Sequence, residues 1–396
     1  MNLLITPPVS LYVHFPWCVR KCPYCDFNSY TLHGELAEDR YIEALERDLQ
    51  AQSLELQGRE IVSIFLGGGT PSLFSPRAIG RLLAAAQAAL TLKPGLEVTL
   101  EANPGTIERG RFGEYRSAGV NRVSLGAQSF DAGRLLLLGR IHSPDETRRA
   151  VEELHAAGLD NFNLDLMYAL PGQDVASAVA DVEAALALSP AHLSHYQLTL
   201  EPGTAFAAQP PELPGEDVAA EMLETCAQRL AEAGFTQYEV SAYAKPARRC
   251  AHNLNYWTFG DYVGIGAGAH GKLTFPDSRS IVRTVRAREP RRYLAAEVAS
   301  GLRRPVPESE LPFEFMLNAL RLVQGFERSL FTQRTGLDWA DVGGKIQLLG
   351  GRGLLATDGD RVYPTAMGLR FLNDLLLSFL PETSKTTGAF RLSTAV

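Results

Sequence analysis

Residues 10–25 read SLYVHFPWCVRKCPYC, an apolar and aromatic run that ends in three cysteines, Cys18, Cys22 and Cys25. The first six residues predict a strand, and Pro16 and Pro23 with the charged Arg20 and Lys21 predict that the cysteines lie on the loop that follows it. Thiolates at C-x3-C-x2-C spacing can ligate one metal centre, and zinc and iron–sulfur are the common choices for clustered sulfur ligands. A closed zinc site needs a fourth ligand, which His14 or His33 could supply, whereas a four-iron cubane held by three cysteines leaves one iron free to bind something that reacts. Ordinary packing thiols are a third reading, against which the loop's charge and proline count. Five cysteines in 396 residues are too few, and odd in number, for a disulfide framework.

Outward from that loop, one unit repeats: a short apolar or β-branched run, a glycine- or proline-bearing turn, then an amphipathic stretch. SLYVHF leads to a predicted helix over 37–53, IVSIFL to 76–90, LEVTLEA to 108–118, RVSLGAQ to 144–157, NFNLDLM to 174–188 and HLSHYQL to 216–233. Six βα units with continuous apolar strands imply a parallel sheet covered by helices, so the fold class is α/β, a partial (β/α)6 TIM-like barrel over residues 1–240. A doubly wound open sheet is the alternative. Polar and glycine-rich clusters (WCVRKCPYC, GGGTPS, EANPGT, AQSF, DLMYALPGQ, TLEPGT) each fall just past a strand, and in parallel βα folds those loops share the ligand-binding face.

CVRKCPYC after a first strand, followed by GGGTPS and EANPGT, resembles the radical S-adenosylmethionine superfamily, in the branch of oxygen-independent coproporphyrinogen oxidase and its relatives. The resemblance implies that Cys18, Cys22 and Cys25 hold a [4Fe-4S] cluster whose fourth iron binds S-adenosylmethionine. It further implies that Tyr24 packs on adenine and Tyr12 points toward the methionine end, while the backbone of Gly67, Gly68 and Gly69 with Thr70 approaches the amino group. Glu101 would accept from ribose hydroxyls, Gln128 and Asp165 would line the site, and Arg140 suits the methionine carboxylate. Taken singly, GGGT is a turn, Glu101 a cap and Asp165 a buried carboxylate bonded to amides.

The oxidases of that branch carry a fourth cysteine two residues after the third and an extension before the motif. Here that position is Phe27, and the motif falls within the first twenty-five residues. Both features match the haem chaperones of the HemW type, which bind haem and pass it to acceptor haem proteins. By that resemblance His252, Asn253, Tyr256 and Trp257, in CAHNLNYWTFGDYVGIGAGAH, form the haem-associated HNxxYW pattern. On residue chemistry alone, a core histidine beside packing aromatics is the commoner reading, and Cys250 and His270 are weaker candidate ligands. The runner-up function is oxidative decarboxylation of porphyrinogen propionates, since nothing in the cofactor loops is missing.

Residues 241–304 are the haem motif and a basic connection. Eight arginines, Arg279, Arg283, Arg286, Arg288, Arg291, Arg292, Arg303 and Arg304, face only Glu289 and Glu297 in residues 279–304. They predict a solvated helix face bridging two domains, or a docking surface for haem propionates, an acidic acceptor or anionic lipid at a membrane periphery. Residues 305–380 show helical spacing and then a hairpin around Asp358–Gly359, a small α+β winged-helix-like domain. Seven basic against nine acidic side chains there make a poor nucleic-acid footprint. The net charge of −7 points the same way for the whole chain. Residues 381–396 are polar and small, an expected disordered tail. No apolar run reaches the ~20 residues of a membrane span and the N-terminus lacks a signal-peptide pattern, so the expectation is a cytoplasmic protein, monomeric or homodimeric, with peripheral membrane contact as one option for the arginines.

Overall fold

The computed structural model of the chain describes residues 4–105, 110–296 and 301–381; the predicted tail lies outside them. β1 (Val9–Phe15) opens the fold, and the cysteine loop behind it is closed by a small parallel pair, β2 (Trp17–Cys18) and β3 (Tyr30–Thr31). Five more βα units follow α1 (Glu38–Leu56): β4 (Glu60–Gly68) with α2 (Pro76–Ala89), and β5 (Thr91–Ala102) with α3 (Phe112–Ser117). β6 (Arg122–Gln128) carries two helices, α4 (Ala132–Leu137) and α5 (Pro144–Ala156). β7 (Phe162–Tyr168) leads to α6 (Val175–Ala187), and β8 (His192–Gln197) to α7 (Ala205–Ala208) and α8 (Glu216–Glu232). The six strands run parallel in chain order, β1-β4-β5-β6-β7-β8, the partial-barrel arrangement the repeat predicts.

Local chemistry starts the helices where the pattern places them. Ser143 accepts from the Glu146 amide while the Glu146 carboxylate accepts from the Ser143 amide, a capping box with Pro144 in the first turn. Ser75 and Asp174 cap α2 and α6 through their side chains.

The strands differ from the continuous apolar runs expected. Their outward residues, among them Leu11, Val13, Ile64, Leu100, Val123, Leu125, Leu164 and Leu193, are buried under the helices. Most of their inward residues are polar: Ser10 bonds Ser63, Asn163 bonds Ser124 and Asp165, and His192 bonds Asn163. Six strands enclose a lumen that polar side chains fill with mutual hydrogen bonds, as buried polar groups require.

The arginine-rich region is largely strand and not one helix face; of its arginines only Arg291 and Arg292 lie on a helix. After β9 (Thr236–Glu239), β10 (Ala242–Ala244) and the short α9 (Ala251–Trp257), the chain adds β11 (Asp261–Ile265) parallel to β1. β12 (His270–Phe275), β13 (Ser280–Arg286) and, beyond α10 (Pro290–Ala295), β14 (Gly301–Pro305) continue antiparallel outward from it. One twelve-stranded sheet results, with β14 and β9 as its edge strands, and Glu239 of β9 bridges to Leu322. Residues 272–275 alternate polar and apolar before the turn at 276–279, a strand signal. The arginines tie this sheet down: Arg286 to the buried Asp48, Arg283 to Glu314, Arg303 to Glu55, Arg304 to Glu310.

The last unit reads α11 (Leu311–Ala319), β15 (Phe326–Glu327), α12 (Arg328–Thr335), α13 (Ala340–Gly351) and the hairpin β16 (Leu355–Asp358) and β17 (Arg361–Pro364), a winged-helix order. Its core takes in Phe259 and Ile281 from the barrel side, and Phe259 meets Phe315 edge to face at 5.6 Å. Burial of such a ring contributes about 2 kcal/mol, so the module is seated on the barrel. No helix among the described residues is long and apolar enough to cross a membrane.

Candidate functional site

The cysteine loop is clamped to the barrel mouth by backbone. The Gly69 amide donates to Phe15 O (2.6 Å) and the Thr70 amide to Trp17 O (2.8 Å). A Cβ on Gly69 would stand 2.6 Å from Trp17 O, and one on Gly68, at φ +113°, would stand 2.5 Å from the His14 ring. The glycines are therefore fixed by this close approach of two loops, and the Gly68 and Gly69 amides are spent inside the protein, with Gly68 donating to Glu101 at 2.9 Å. Lys21 Nζ holds the far side of the loop through Phe27 O and Ser29 O, both at 3.0 Å.

Cys18, Cys22 and Cys25 are free and half-buried. Burial pushes the Cys18 and Cys25 thiols up, so a positively charged centre is what would draw them to thiolate. Among the described residues no group of three His, Cys, Asp or Glu side chains is gathered around one point. Thiols around the rim of a mouth suit a polynuclear centre in which each binds its own iron.

Arg140 lies beside this rim. It donates to Cys22 Sγ (3.6 Å), Asn103 Oδ1 (2.5 Å) and Gly126 O (2.8 Å), while Asn103 Nδ2 donates to Thr70 Oγ1 (3.0 Å). The buried Arg140 Nε has no hydrogen-bond partner among the described residues, a donor that a ligand carboxylate would satisfy. Tyr24 packs in an apolar wall with Leu138, Met167, Leu170, Leu198 and Phe206, suited to one face of a flat ring. Gln128, held at φ +67°, accepts from the Tyr196 hydroxyl at 2.8 Å.

Glu101 and Asp165 lie deeper. Burial, reinforced by the Asp165 charge, pushes Glu101 up to about 8 despite the Gly68 amide. Burial also raises Asp165, against bonds from Asn163, Ser194 and Ser124. Two crowded carboxyls with spare acceptor oxygens form a receptor for hydroxyl donors. Tyr12 stands between the ends of the lumen: its hydroxyl bonds His14 Nδ1 at 2.9 Å, and its ring lies near Phe65 and His252.

His252 is distant in sequence yet shares that lumen. α9 plugs the barrel at the N-terminal ends of its strands, with the amides of Ala251 and His252 and the Cys250 thiol on the Glu97 carboxylate and Asn255 on Ser10 Oγ. The His252 ring is 1% exposed, bonds Ser63 Oγ through Nδ1 at 3.0 Å, and sits against Phe65 and Tyr256. Burial, with the charge of Arg122, pushes its pKa down to about 3, and its Nε2 has no hydrogen-bond partner among the described residues. Asn253 is half-buried. Trp257 turns the other way, beneath the Arg321 guanidinium of the C-terminal module at 4.4 Å, so the four motif residues do not share one face.

Residues that the sequence reading passed over join these parts: Asn103, Gly126, Tyr196, Asn163 and Glu97. Asn103 lay in view inside EANPGT; the others needed the period-two alternation of the strands, which marks inward positions.

A model of the radical SAM superfamily matches residues 12–185, and a model of the HemN C-terminal domain matches residues 306–371. The chain is 48% identical over 376 residues to the haem chaperone HemW of Escherichia coli, covering 95% of this chain and 99% of that one. It is 46% identical to the HemW of Haemophilus influenzae, with 95% and 99% covered. It is 36% identical to the mitochondrial radical S-adenosyl methionine domain-containing protein 1 of Bos taurus, with 94% and 87% covered. In architecture it resembles the E. coli coproporphyrinogen III oxidase HemN, with TM-score 0.79 at 22% identity over 94% of this chain and 90% of that one.

Proposed function

The chain belongs to the haem chaperone HemW family of the radical SAM superfamily, and from that premise we propose that it binds haem in the cytoplasm and hands it to acceptor haem proteins. Cys18, Cys22 and Cys25 would hold a [4Fe-4S] cluster. Tyr24, Gly68, Gly69, Thr70, Glu101, Gln128, Arg140 and Asp165, with Tyr12 behind them, would surround S-adenosylmethionine. When bound and reduced, such a cluster supplies an electron to the sulfonium. The chain's own part is to satisfy the ligand's carboxylate at Arg140 and its hydroxyls at Glu101, and to keep water from its ring with the Tyr24 wall.

The observation that carries the haem reading is His252 Nε2: a buried neutral imidazole with an unused nitrogen, on a short helix held by a countable set of hydrogen bonds. Neutral imidazole is the form that ligates haem iron. Reaching it requires α9 to leave its seat on Glu97 and Ser10, which makes cargo loading a conformational step, with Asn253, Tyr256 and Trp257 repositioned around the macrocycle. Phe27, 41% exposed where the related oxidases carry a further cysteine, favours this reading over porphyrinogen decarboxylation. Arg283, Arg286, Arg303 and Arg304 are engaged within the fold, which argues against membrane docking through them.

The test is an anaerobic haem titration of the cluster-reconstituted chain beside His252→Ala, with coproporphyrinogen turnover assayed in parallel. Saturable one-to-one binding by the wild type, a Soret band shifted or lost in the variant at equilibrium, and no tripropionic product are expected. Absence of binding together with stoichiometric decarboxylation would replace the chaperone reading with the oxidase one.

A further inference from the structure

Sealed in the lumen, His252 cannot meet a porphyrin until α9 moves, but a second imidazole stands open. His270 begins β12; its side chain is exposed, and no hydrogen bond among the described residues engages its ring. The antiparallel register pairs His270 with Val285 and Lys272 with Arg283, so His270 and Arg283 are diagonal neighbours on one face of the sheet. Its backbone is pinned: a Cβ on Gly264 would collide with the His270 carbonyl and one on Gly271 with Thr284 Oγ1, while the Arg286 amide donates to Ala269 O at 2.8 Å.

Two guanidinium charges act on this ring, and they have different duties. Arg283 is spent on Glu314 and the Tyr262 hydroxyl. Arg288 is exposed and gives only its Nε, to Asn28 Oδ1 at 3.0 Å; no hydrogen bond among the described residues engages its two terminal nitrogens. Its backbone carbonyl accepts from Asn28 and Tyr30, which anchors it. Partial burial, then the charges of Arg283 and Arg288, hold the His270 pKa below its ordinary value and leave the ring a free lone pair at neutral pH. Half-buried Tyr262 and Tyr256, at 4.4 Å edge to face, continue the same wall toward His252.

We propose that His270 is the landing ligand for haem, binding the iron of the arriving porphyrin while Arg288 pairs with a propionate and Tyr262 and Tyr256 flank the macrocycle, ahead of transfer to His252. The step is a ligand exchange: an imidazole nitrogen donates its lone pair to ferric iron, water leaves, and no electron moves. It rests on the haem-carrying reading above and adds to it the site where haem first binds.

Stopped-flow mixing of the full-length cluster-loaded chain with ferric haem tests it, using wild type, His270→Ala, His270→Gln, Arg288→Glu and His252→Ala. Both His270 variants are expected to lower the second-order rate at least about five-fold, with free imidazole restoring the His270→Ala rate, and Arg288→Glu to lower it by a smaller factor. His252→Ala is expected to keep the first phase and lose a slower, concentration-independent one. A rate in His270→Ala and His270→Gln within that five-fold of wild type overturns the inference alone. A wild type without saturable binding overturns the haem-carrying reading together with it.

Discussion

Replacing Cys22 with serine is expected to abolish the [4Fe-4S] cluster proposed above while leaving the fold in place. Iron content after anaerobic reconstitution should fall from about four per chain to near zero, because a hydroxyl is a poor ligand where soft thiolate is required. Stability should change little: in the ligand-free protein the Cys22 sulfur is half-buried and its side-chain contacts are a long one from Arg140 at 3.6 Å and one with Tyr24. The loop is held instead by Lys21 and by the Gly69 and Thr70 amides. Iron analysis and thermal unfolding of the same preparation check both halves. A variant that keeps its iron, or that unfolds many degrees earlier, contradicts the assignment.

Exchanging Glu101 for glutamine should separate ligand binding from stability. Burial raises the folded-state pKa of Glu101 to about 8, from 4.5. Between those values the unfolded chain releases the proton and the folded one keeps it, so the ligand-free protein loses stability as pH rises from about 4.5 to 8. Glutamine removes that loss and still offers an oxygen to the Gly68 amide. The variant is thus expected to be more stable than wild type at pH 8, by an amount on the order of 2–3 kcal/mol after allowance for solvent at the mouth, with no gain near pH 4.5. Its affinity for S-adenosylmethionine should fall about ten-fold or more, because an amide cannot replace both acceptor oxygens. Parallel stability profiles from pH 4.5 to 8, or an unchanged isotherm, would contradict this account.

What could be read from the chain follows from what local physics encodes. The six strands and their helices were legible because apolar periodicity, caps such as Ser143 and prolines such as Pro76 and Pro144 act within a few residues. The convergence of WCVRKCPYC, GGGT and EANPGT on one face followed from the direction of parallel strands. Three things were not legible. The glycines of GGGT serve the approach of the His14 ring and of Trp17, contacts that no spacing announces. Arg283, Arg286, Arg303 and Arg304 look like part of a free basic surface until Asp48, Glu55, Glu310 and Glu314 are brought to them from elsewhere in the chain. His252 belongs to a motif far from the cysteines in sequence, yet its ring lies 6.3 Å from that of Tyr12, because α9 closes the other end of the lumen.

The central claim is that this chain delivers haem, and the most direct measurement is the rate at which haem leaves it as a function of acceptor. The haem-loaded chain would be mixed with increasing concentrations of apo-haem proteins from the same source, with apomyoglobin as a passive scavenger, and the holo-acceptor spectrum followed. A chaperone predicts, for at least one acceptor, a transfer rate that rises with acceptor concentration and exceeds the loss to apomyoglobin. Rates that are the same for every acceptor, independent of concentration and equal to spontaneous loss would contradict it.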